Sequence, residues 1–479
     1  MKQLIFSIFL FFCIFSCKNN HPNPKVNIEK PNIIYILADD LGYGDLSSYG
    51  QKRFTTPNID QLAKEGKIFT RHYAGSTVCA PSRSSLLTGL HTGHTPVRGN
   101  KRHDPEGQWP MPNDTFTLAE LLKENGYKTG VFGKWGLGYP NSEGDPLKQG
   151  FDEFYGYNCQ RLAHHYYPRY LWKNNTIDSL PENSGKNKGS YAPNRIHKEA
   201  MTFLEKNKDN PFFLYYAAVV PHAELAVPEP YLNKFKGKLG KEKPYKGYDD
   251  GPRYREGPFE SQKEPHATFA GMITHLDDRI GEIMRKVKEL GIEENTIIVF
   301  TSDNGPHIEA GSDVNYFNSN GNLRGVKRDL YEGGIRVPMI IKWKDHIKEN
   351  SKTDHVSAFW DVMPTVADIL NIELKTPTDG LSFLPTLFNQ KQPQHDYLYW
   401  EFHEKGGRVA LLKDDWKLIK YDINKTPQKE FELYNLKEDP SEQNDLAAKH
   451  PQIVDKLSTL LLNAREESDV FKFKKNIKP

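Results

Sequence analysis

Two apolar runs in this chain end in acids. "NIIYILADD" closes on Asp39 and Asp40, and "TIIVFTSDNG" on Asp303 and Asn304. Carboxylates and an amide form an all-oxygen set, and hard oxygen donors suit Ca²⁺ or Mg²⁺, not zinc. Asp and Asn also favour turns and caps, so either pair alone reads equally well as turn chemistry. Two such pairs, each at a strand end, point to a metal. Lys134 in "GVFGKWG" and His222 in "VVPHAE" also follow apolar runs, while Arg83 and Lys327 add positive charge nearby. A dication among these groups makes an electropositive pocket for a tetrahedral oxyanion. A sulfate or phosphate ester fits, because its charge must be held while a bond to oxygen breaks. His222 is the candidate to protonate the leaving alcohol.

A nucleophile is still required. "STVCAPSRSSLLTG" places Cys79 just ahead of a helix predicted over 84–88. A helix N-terminus favours anions and activates a thiolate. A thiolate is nevertheless a soft ligand, badly matched to a hard metal. Plain cysteine fits poorly.

The elements that must position these groups follow from periodicity. Apolar runs at 33–37, 297–300, "KTGVFGK" and "NPFFLYYAAVV" read as buried strands, and amphipathic stretches at 115–125 and 267–290 read as helices. This alternation predicts an α/β fold, a large and mostly parallel mixed sheet sandwiched by helices. Functional residues in such sheets collect beyond the carboxyl ends of the strands. Residues 231–266, rich in Lys, Gly, Pro and Tyr, read as a long surface loop. From residue 392 the pattern changes: "YLYWEF", "RVALLKDDWKLIKYD" and "FELYNLKEDP" predict short antiparallel strands, followed by a helix in "HPQIVDKLSTLLLNAREE". Residues 31–391 thus form a catalytic domain, and 392–479 a smaller α+β subdomain.

Sixty-four Lys and Arg face 62 Asp and Glu over 479 residues, without the basic excess that nucleic-acid binding requires. Residues 1–16 carry Lys2 and an apolar run too short to span a bilayer, which suits a secretory signal. Ile14-Phe15-Ser16-Cys17 resembles a bacterial lipoprotein box with Cys17 lipidated, and the polar stretch 17–30 reads as a tether. The expectation is an exported bacterial protein, either periplasmic or lipid-anchored at the outer membrane or cell surface, that meets the membrane only through the lipid. Beyond the leader, Cys79 and Cys159 remain. A disulfide between them is one option in an exported protein; a buried, inert Cys159 is the preferred reading.

"CAPSRSSLLTG" resembles the signature of type I sulfatases, in the alkaline-phosphatase-like superfamily. The resemblance implies that a formylglycine-generating or anaerobic maturation enzyme oxidises the cysteine to formylglycine (3-oxoalanine), which hydrates to a geminal diol. One hydroxyl attacks sulfur, the alcohol leaves, and the other hydroxyl expels sulfate. An oxygen nucleophile can ligate calcium, which removes the mismatch. "NIIYILADDLGYGD", "FTSDNG", "GVKRDLYEGGIRVP" and "FELYNLKEDPSEQNDLA" resemble four further family segments in family order, so the likeness spans nearly the whole chain after the tether. It implies Asp39, Asp40, Asp303 and Asn304 as ligands of one Ca²⁺, completed by converted Cys79. Arg83 would orient the diol, Lys134 and Lys327 would hold sulfate oxygens, and His222 would be the leaving-group acid.

One departure stands out. Many members carry a histidine two residues after the lysine matched to Lys134, where this chain has Gly136. The residue that assists sulfate elimination is therefore open, with His94, His164, His165, His307 and His403 as spatial candidates. His164, His165, His307, His403 and Glu404 are also candidate contacts to the substrate. The implied class is a sulfated oligo- or polysaccharide, such as an algal galactan, ulvan or a host glycan. Two alternatives compete. A phosphonate or phosphodiester hydrolase of the same superfamily would tend to use histidine among its metal ligands, so Asn304 argues against it. A non-catalytic glycan-binding protein on the same scaffold is argued against by the presence of Cys79, Arg83 and the metal acids.

Overall fold

The computed structural model describes residues 30–425 and 430–474; the leader, Cys17 and the tether through residue 29 lie outside the described residues. Strands β1 (Asn32–Ala38), β2 (Lys67–Tyr73), β3 (Lys128–Lys134), β4 (Glu153–Tyr157), β5 (Tyr170–Lys173), β6 (Thr176–Ser179), β7 (Phe212–Ala217), β8 (Thr296–Ser302), β9 (Arg336–Trp343), β10 (Ser351–Thr353) and β11 (Ser357–Ala358) form one sheet. Its order is β10-β2-β9-β8-β1-β7-β3-β4-β5-β6, with β11 beside β2. The central run β8-β1-β7-β3-β4 is parallel throughout. Antiparallel pairs flank it, β9 with β8 and β2 on one side, β5 with β4 and β6 on the other.

Strand β1 shows why this sheet lies between two layers. Ile34, Ile36 and Ala38 enter one core, with Phe269, Ile273 and Leu276 of the helix Pro265–Glu289. Ile33, Tyr35 and Leu37 enter the other, with Leu86 and Leu87 of the helix Cys79–Thr88. A fully buried Ile or Leu is worth about 1.5–3 kcal/mol, so a strand apolar on both faces is anchored up to its polar end.

Helix starts differ from the sequence reading for local reasons. The helix expected from residue 115 begins at Leu118, because Thr117 and Glu120 close a reciprocal capping box ahead of it. The helix expected over 84–88 reaches back to Cys79, since Pro81 in its first turn gives up an N–H that has no partner there in any case. The long stretch 231–266 opens inside a short helix, Glu229–Phe235, and closes on the first residues of the helix Pro265–Glu289; between them it is irregular apart from a bridge between Tyr245 and Gln262.

A second sheet, β12 (Leu398–Phe402), β13 (Arg408–Lys413), β14 (Trp416–Tyr421) and β15 (Glu432–Asn435), is antiparallel in sequence order. Its residues alternate between faces: Leu398, Trp400, Ala410 and Leu412 pack on Tyr73 and Trp360 of the large domain. Tyr399, Val409 and Leu411 pack on Leu457 and Leu461 of the closing helix Pro451–Asn463. No helix among the described residues is long and apolar enough to cross a membrane.

Candidate active site

Four neighbouring parallel strands deliver the predicted groups to one end of the sheet. Asp39 and Asp40 follow β1, Asp303 and Asn304 follow β8, Lys134 ends β3, and His222 comes on the turn after β7. Asp40 sits in the left-handed region at φ 62°, which turns the chain sharply enough for both acids to reach the same space. Cross-bonds fix the two acid turns: Asp40 N–H donates to Asp303 Oδ1 at 3.1 Å, Leu41 N–H to Ser302 Oγ at 2.9 Å, and Asp303 N–H to the Ala38 carbonyl at 3.0 Å.

The Cys79 helix enters from one face of the sheet with all ten residues buried. Its hydroxyls replace the solvent it lacks. Ser82 Oγ accepts from Gly75 N–H, Ser84 bonds Thr95, Ser85 donates to the Leu90 carbonyl, and Thr88 donates to the Ser84 carbonyl. A Cβ at Gly75 would stand 2.3 Å from that of Ser85, so this loop can seat on the helix only with glycine there. Cys79 Sγ then lies 3.2 Å from Asp39 Oδ1, 3.9 Å from Asp40 Oδ1 and 3.3 Å from Lys134 Nζ. Burial and then the charge of Asp39 push the pKa of the Cys79 thiol well above the usual value. Both Cys79 and Cys159 are unpaired, so the disulfide option fails; burial raises the Cys159 thiol to about 11.

Three cations lean on the acids. Lys134 Nζ is 2.6 Å from Asp39 and Lys327 Nζ is 2.7 Å from Asp40; Arg83 reaches Asp303 at 2.9 and 3.1 Å through two nitrogens. Burial opposes ionisation of Asp40, but the Lys327 ammonium beside it outweighs burial and holds the carboxyl well below its usual range. Asp303 goes the other way, pushed up to about 7 by burial and by the nearby Asp39, against the pull of Arg83. Burial lowers His222 strongly, and Lys327 and Lys134 lower it further. The imidazole is therefore neutral, its Nδ1 bonded to the Ala223 carbonyl and its Nε2 set 3.2 Å from Lys327 Nζ as acceptor.

Unmet demand at this cluster fits a hard cation. Asn304 Nδ2 donates to Asp40 Oδ1 at 2.7 Å and to the Gly305 carbonyl, yet its buried Oδ1 has no hydrogen-bond partner. Single ligand atoms of Asp39, Asp40, Cys79 and His222 all lie within 4.8 Å of one another. Two of these are carboxylates, and with the Asp303 carboxylate and the Asn304 amide oxygen beside them the donors include the hard oxygens that Ca²⁺ or Mg²⁺ prefers.

The other candidates divide. His164 stacks on His222 with ring centres 5.3 Å apart, and burial lowers it to about 4. His307 bonds the Pro221 carbonyl and accepts from Glu309 N–H, bracing the His222 turn. His165 is used by Glu224 and by Gly257 N–H. His94 pairs with Asp379 at 2.9 Å, and His403 pairs with Glu401 at 2.9 Å and stacks on Phe473; neither joins the cluster. Glu404 is exposed and acts only at long range, on Arg328.

Two groups escaped the sequence reading. Glu309 stands 3.5 Å from Lys327 and 2.9 Å from Arg328, both of which hold it down at about 2 despite burial. Gln160 follows β4, the fifth parallel strand, and neither polar atom of its buried side chain has a partner. Gly136 has φ 80°, and a Cβ there would meet Gln160 Nε2 at 2.2 Å. The strand ending "YGYNCQ" was the available signal, a fifth apolar run closing on amides.

Comparisons with known proteins cover most of the chain. The sulfatase family model matches residues 31–372, and the model of the N-sulphoglucosamine sulphohydrolase C-terminal region matches 325–467. The chain is 31% identical over 515 residues to an N-acetylgalactosamine-6-O-sulfatase of Bacteroides thetaiotaomicron, covering 91% of this chain and 93% of that protein. It is 32% identical over 415 residues to arylsulfatase A of Bos taurus, covering 81% and 74%. Among solved structures, Ps i-CgsB in complex with k-i-k-neocarrahexaose superposes with a TM-score of 0.75 at 27% identity, covering 92% and 94%.

Proposed function

Because the chain belongs to the type I sulfatase family and is a sulfuric ester hydrolase, we propose that it removes sulfate from a sulfated carbohydrate, using Cys79 matured to formylglycine and one calcium ion. The convergence of Cys79 on an oxygen-rich acid cluster containing an unpaired Asn304 oxygen carries this reading. Asp39, Asp40, Asp303 and Asn304 would hold the ion, which supplies Lewis-acid charge where the sulfate oxygens bind. With Asp39 and Asp40 holding the ion, Lys134 and Lys327, which pair with them here, would turn their ammonium groups to the sulfate. Arg83, pinned between Asp303 and the Lys134 carbonyl, keeps residue 79 in place. His222 Nε2 faces the same space beside Lys327. An anionic ester there draws a proton onto the imidazole, for delivery to the leaving alcohol.

Gln160 fills the space into which a side chain at position 136 would project. An amide holds an oxygen by hydrogen bonds but does not exchange protons near neutral pH, so this site positions where relatives with histidine can also titrate. The N-terminal leader is read as an export signal with Cys17 as its lipidation point; metabolic labelling with a fatty acid, lost in Cys17→Ala, tests it.

Mass spectrometry of the mature peptide containing Cys79 should reveal an aldehyde trapped by a hydrazide. The same preparation should release sulfate from aryl and sugar sulfates faster than it cleaves phosphodiesters. Full activity with an intact Cys79 thiol would overturn the mechanism, and faster phosphodiester turnover would overturn the substrate class.

A further inference from the structure

Beside the catalytic cluster, the loop after β4 borders a cavity of about 190 Å³ lined by Arg102, Arg161, Arg169 and Arg255, with Glu106 and Tyr170. It is well short of the roughly 300 Å³ at which drug-sized sites begin, and suits a single monosaccharide unit. Glu106 is occupied, accepting from the Tyr170 hydroxyl and from Trp172 Nε1. Arg255 is 5% exposed, and its Nε and Nη1 bond Glu260, the Asn183 carbonyl and the Asn187 carbonyl. Its buried Nη2 has no hydrogen-bond partner, which is a costly way to leave a guanidinium N–H. Arg102 and Arg169 are half exposed and meet only Asp104 and, at 3.9 Å, Glu256. Asp104, Glu106, Glu256 and Glu260 match the four arginines in number, so what marks the cavity is one buried guanidinium N–H that still needs an acceptor, beside two loosely held arginines.

The cavity shares a wall with the leaving-group side of the active site. Arg161 caps the short turn Leu162–His164, and the His164 ring at its end stacks on His222. His164 Nδ1 bonds the Gly257 carbonyl at 2.8 Å, and Gly257 N–H donates to His165 at 2.9 Å. Residues 161–165 and 255–257 thus carry the arginines and support the catalytic histidine. In sulfate ester hydrolysis the leaving alcohol is the rest of the glycan, so the neighbouring sugar must extend past His222.

We propose that this cavity is a subsite for an anionic group, a sulfate ester or a carboxylate, on the sugar next to the one that loses its sulfate. The substrate is then a multiply charged glycan. This assignment rests on the sulfatase reading, and the test separates the two. Wild-type enzyme, Arg102→Ala and Arg169→Ala are compared on 4-nitrophenyl sulfate and three disaccharides. These are an unsaturated chondroitin 6-sulfate disaccharide (carboxylate neighbour), its carboxyl-reduced form (neutral neighbour) and an iota-carrageenan disaccharide (sulfate neighbour). Charged neighbours should raise kcat/KM about tenfold over the neutral one, the scale of a charge-assisted hydrogen bond. Each variant should remove most of that gain through KM, while turnover of 4-nitrophenyl sulfate changes by less than about twofold, within the small effect of a distant surface charge. Equal kcat/KM with charged and neutral neighbours, or a parallel loss on 4-nitrophenyl sulfate, overturns the proposal. If no disaccharide is desulfated, calorimetric affinity of the Cys79→Ser protein for the same three replaces the kinetics, and absence of any preference for charge overturns it. Failure of aldehyde-bearing enzyme on 4-nitrophenyl sulfate would instead sink the sulfatase reading, while that affinity ranking would still test the cavity.

Discussion

Two buried carboxylates, Asp303 and Glu401, are both fully withdrawn from solvent, yet their surroundings treat them oppositely. Glu401, on β12, receives Arg98 at 3.1 Å, Arg465 at 2.8 Å, His403 at 2.9 Å and the Tyr399 hydroxyl at 2.9 Å. Burial would raise its pKa, but His403 and the two arginines hold it at about 2. Asp303 has Arg83 but also Asp39 and Asp40 close by, and it sits at about 7. The Glu401 knot is closed at the carboxylate: it ties the second sheet to the chain around Arg98, both Glu401 oxygens are taken, and the atoms left over are nitrogens, Arg465 Nη2 and His403 Nδ1. The Asp303 knot is open: three carboxyl groups crowd together, and beside them lies a spare amide oxygen that a dication would settle. Burial of charge alone does not separate a structural cluster from a functional one; the degree of satisfaction does.

The sharpest way to break this contrast is to remove groups from the open knot. Cys79→Ala should lower sulfate release by at least about 10⁴-fold, the scale of losing a covalent nucleophile, with the thermal midpoint nearly unchanged. Asp303→Asn should lower activity by a similar order and abolish the calcium-induced rise in melting temperature. That rise corresponds to about 2.7 kcal/mol at a hundredfold excess over Kd.

Stability against pH should then run in opposite directions. Asp303 has a folded pKa above its unfolded value, so between about pH 4 and 7 the folded, metal-free protein binds the extra proton and loses stability as pH rises. Asp303→Asn or added calcium should flatten that slope. Glu401 has a depressed folded pKa, so its contribution is present above about pH 4 and is lost as pH falls toward 2. Glu401→Gln should cost about 3–5 kcal/mol at neutral pH in urea melts, because it leaves buried cations unanswered. A stabilising Glu401→Gln, or a severely destabilising Asp303→Asn in metal-free protein, would contradict the distinction.

His222 tests the open knot more finely. His222→Gln should slow desulfation of sugar substrates about 10²–10⁴-fold, the usual contribution of a general acid. Aryl sulfates with acidic phenols should be far less affected, because they need no proton to leave. Gln160→Ala should cost about tenfold, in line with one hydrogen bond to a charged oxygen, without moving the pH optimum. A shifted optimum would mean that Gln160 governs a titrating neighbour.

The open knot was largely legible in the sequence, and the closed one was not. Asp39, Asp40, Lys134, Asp303 and Asn304 each end an apolar run, and parallel strands carry such ends to one edge. Gln160 obeyed the same grammar but was hidden because its strand, "EFYGY", is short and aromatic. His403 misled because a histidine beside aromatics looks the same whether it meets a sugar or a partner such as Glu401. Glu401 is only two residues upstream, but the ring that stacks on His403, Phe473, comes from the returning C-terminal segment and is invisible locally. The start of the Cys79 helix was placed late because its hydroxyls show no amphipathic period, as befits a helix buried on every side.

Between the two extremes lies a third group, His91, His94 and Asp379, whose effect should be the smallest. His94 Nδ1 is 2.9 Å from Asp379, its ring stacks on His91 at 4.4 Å, and its side chain is 27% exposed. The hydrogen bond to Asp379 raises the His94 pKa, and despite burial His94 and His91 lower that of Asp379. His91 itself is held at about 4 by burial and stays neutral. The His94 contribution is full below the unfolded value near 6.5 and fades as pH rises through the raised folded pKa; that of Asp379 is full above about 4 and fades as pH falls. The pair should therefore stabilise most between about pH 4 and 6.5, by no more than about 1 kcal/mol given its exposure. Asp379→Asn should remove the loss of stability above pH 6.5 and bring the His94 titration, followed by NMR, back toward the ordinary value. An unmoved His94 titration would mean that solvent, not Asp379, answers its charge, and this knot would then belong with neither of the others.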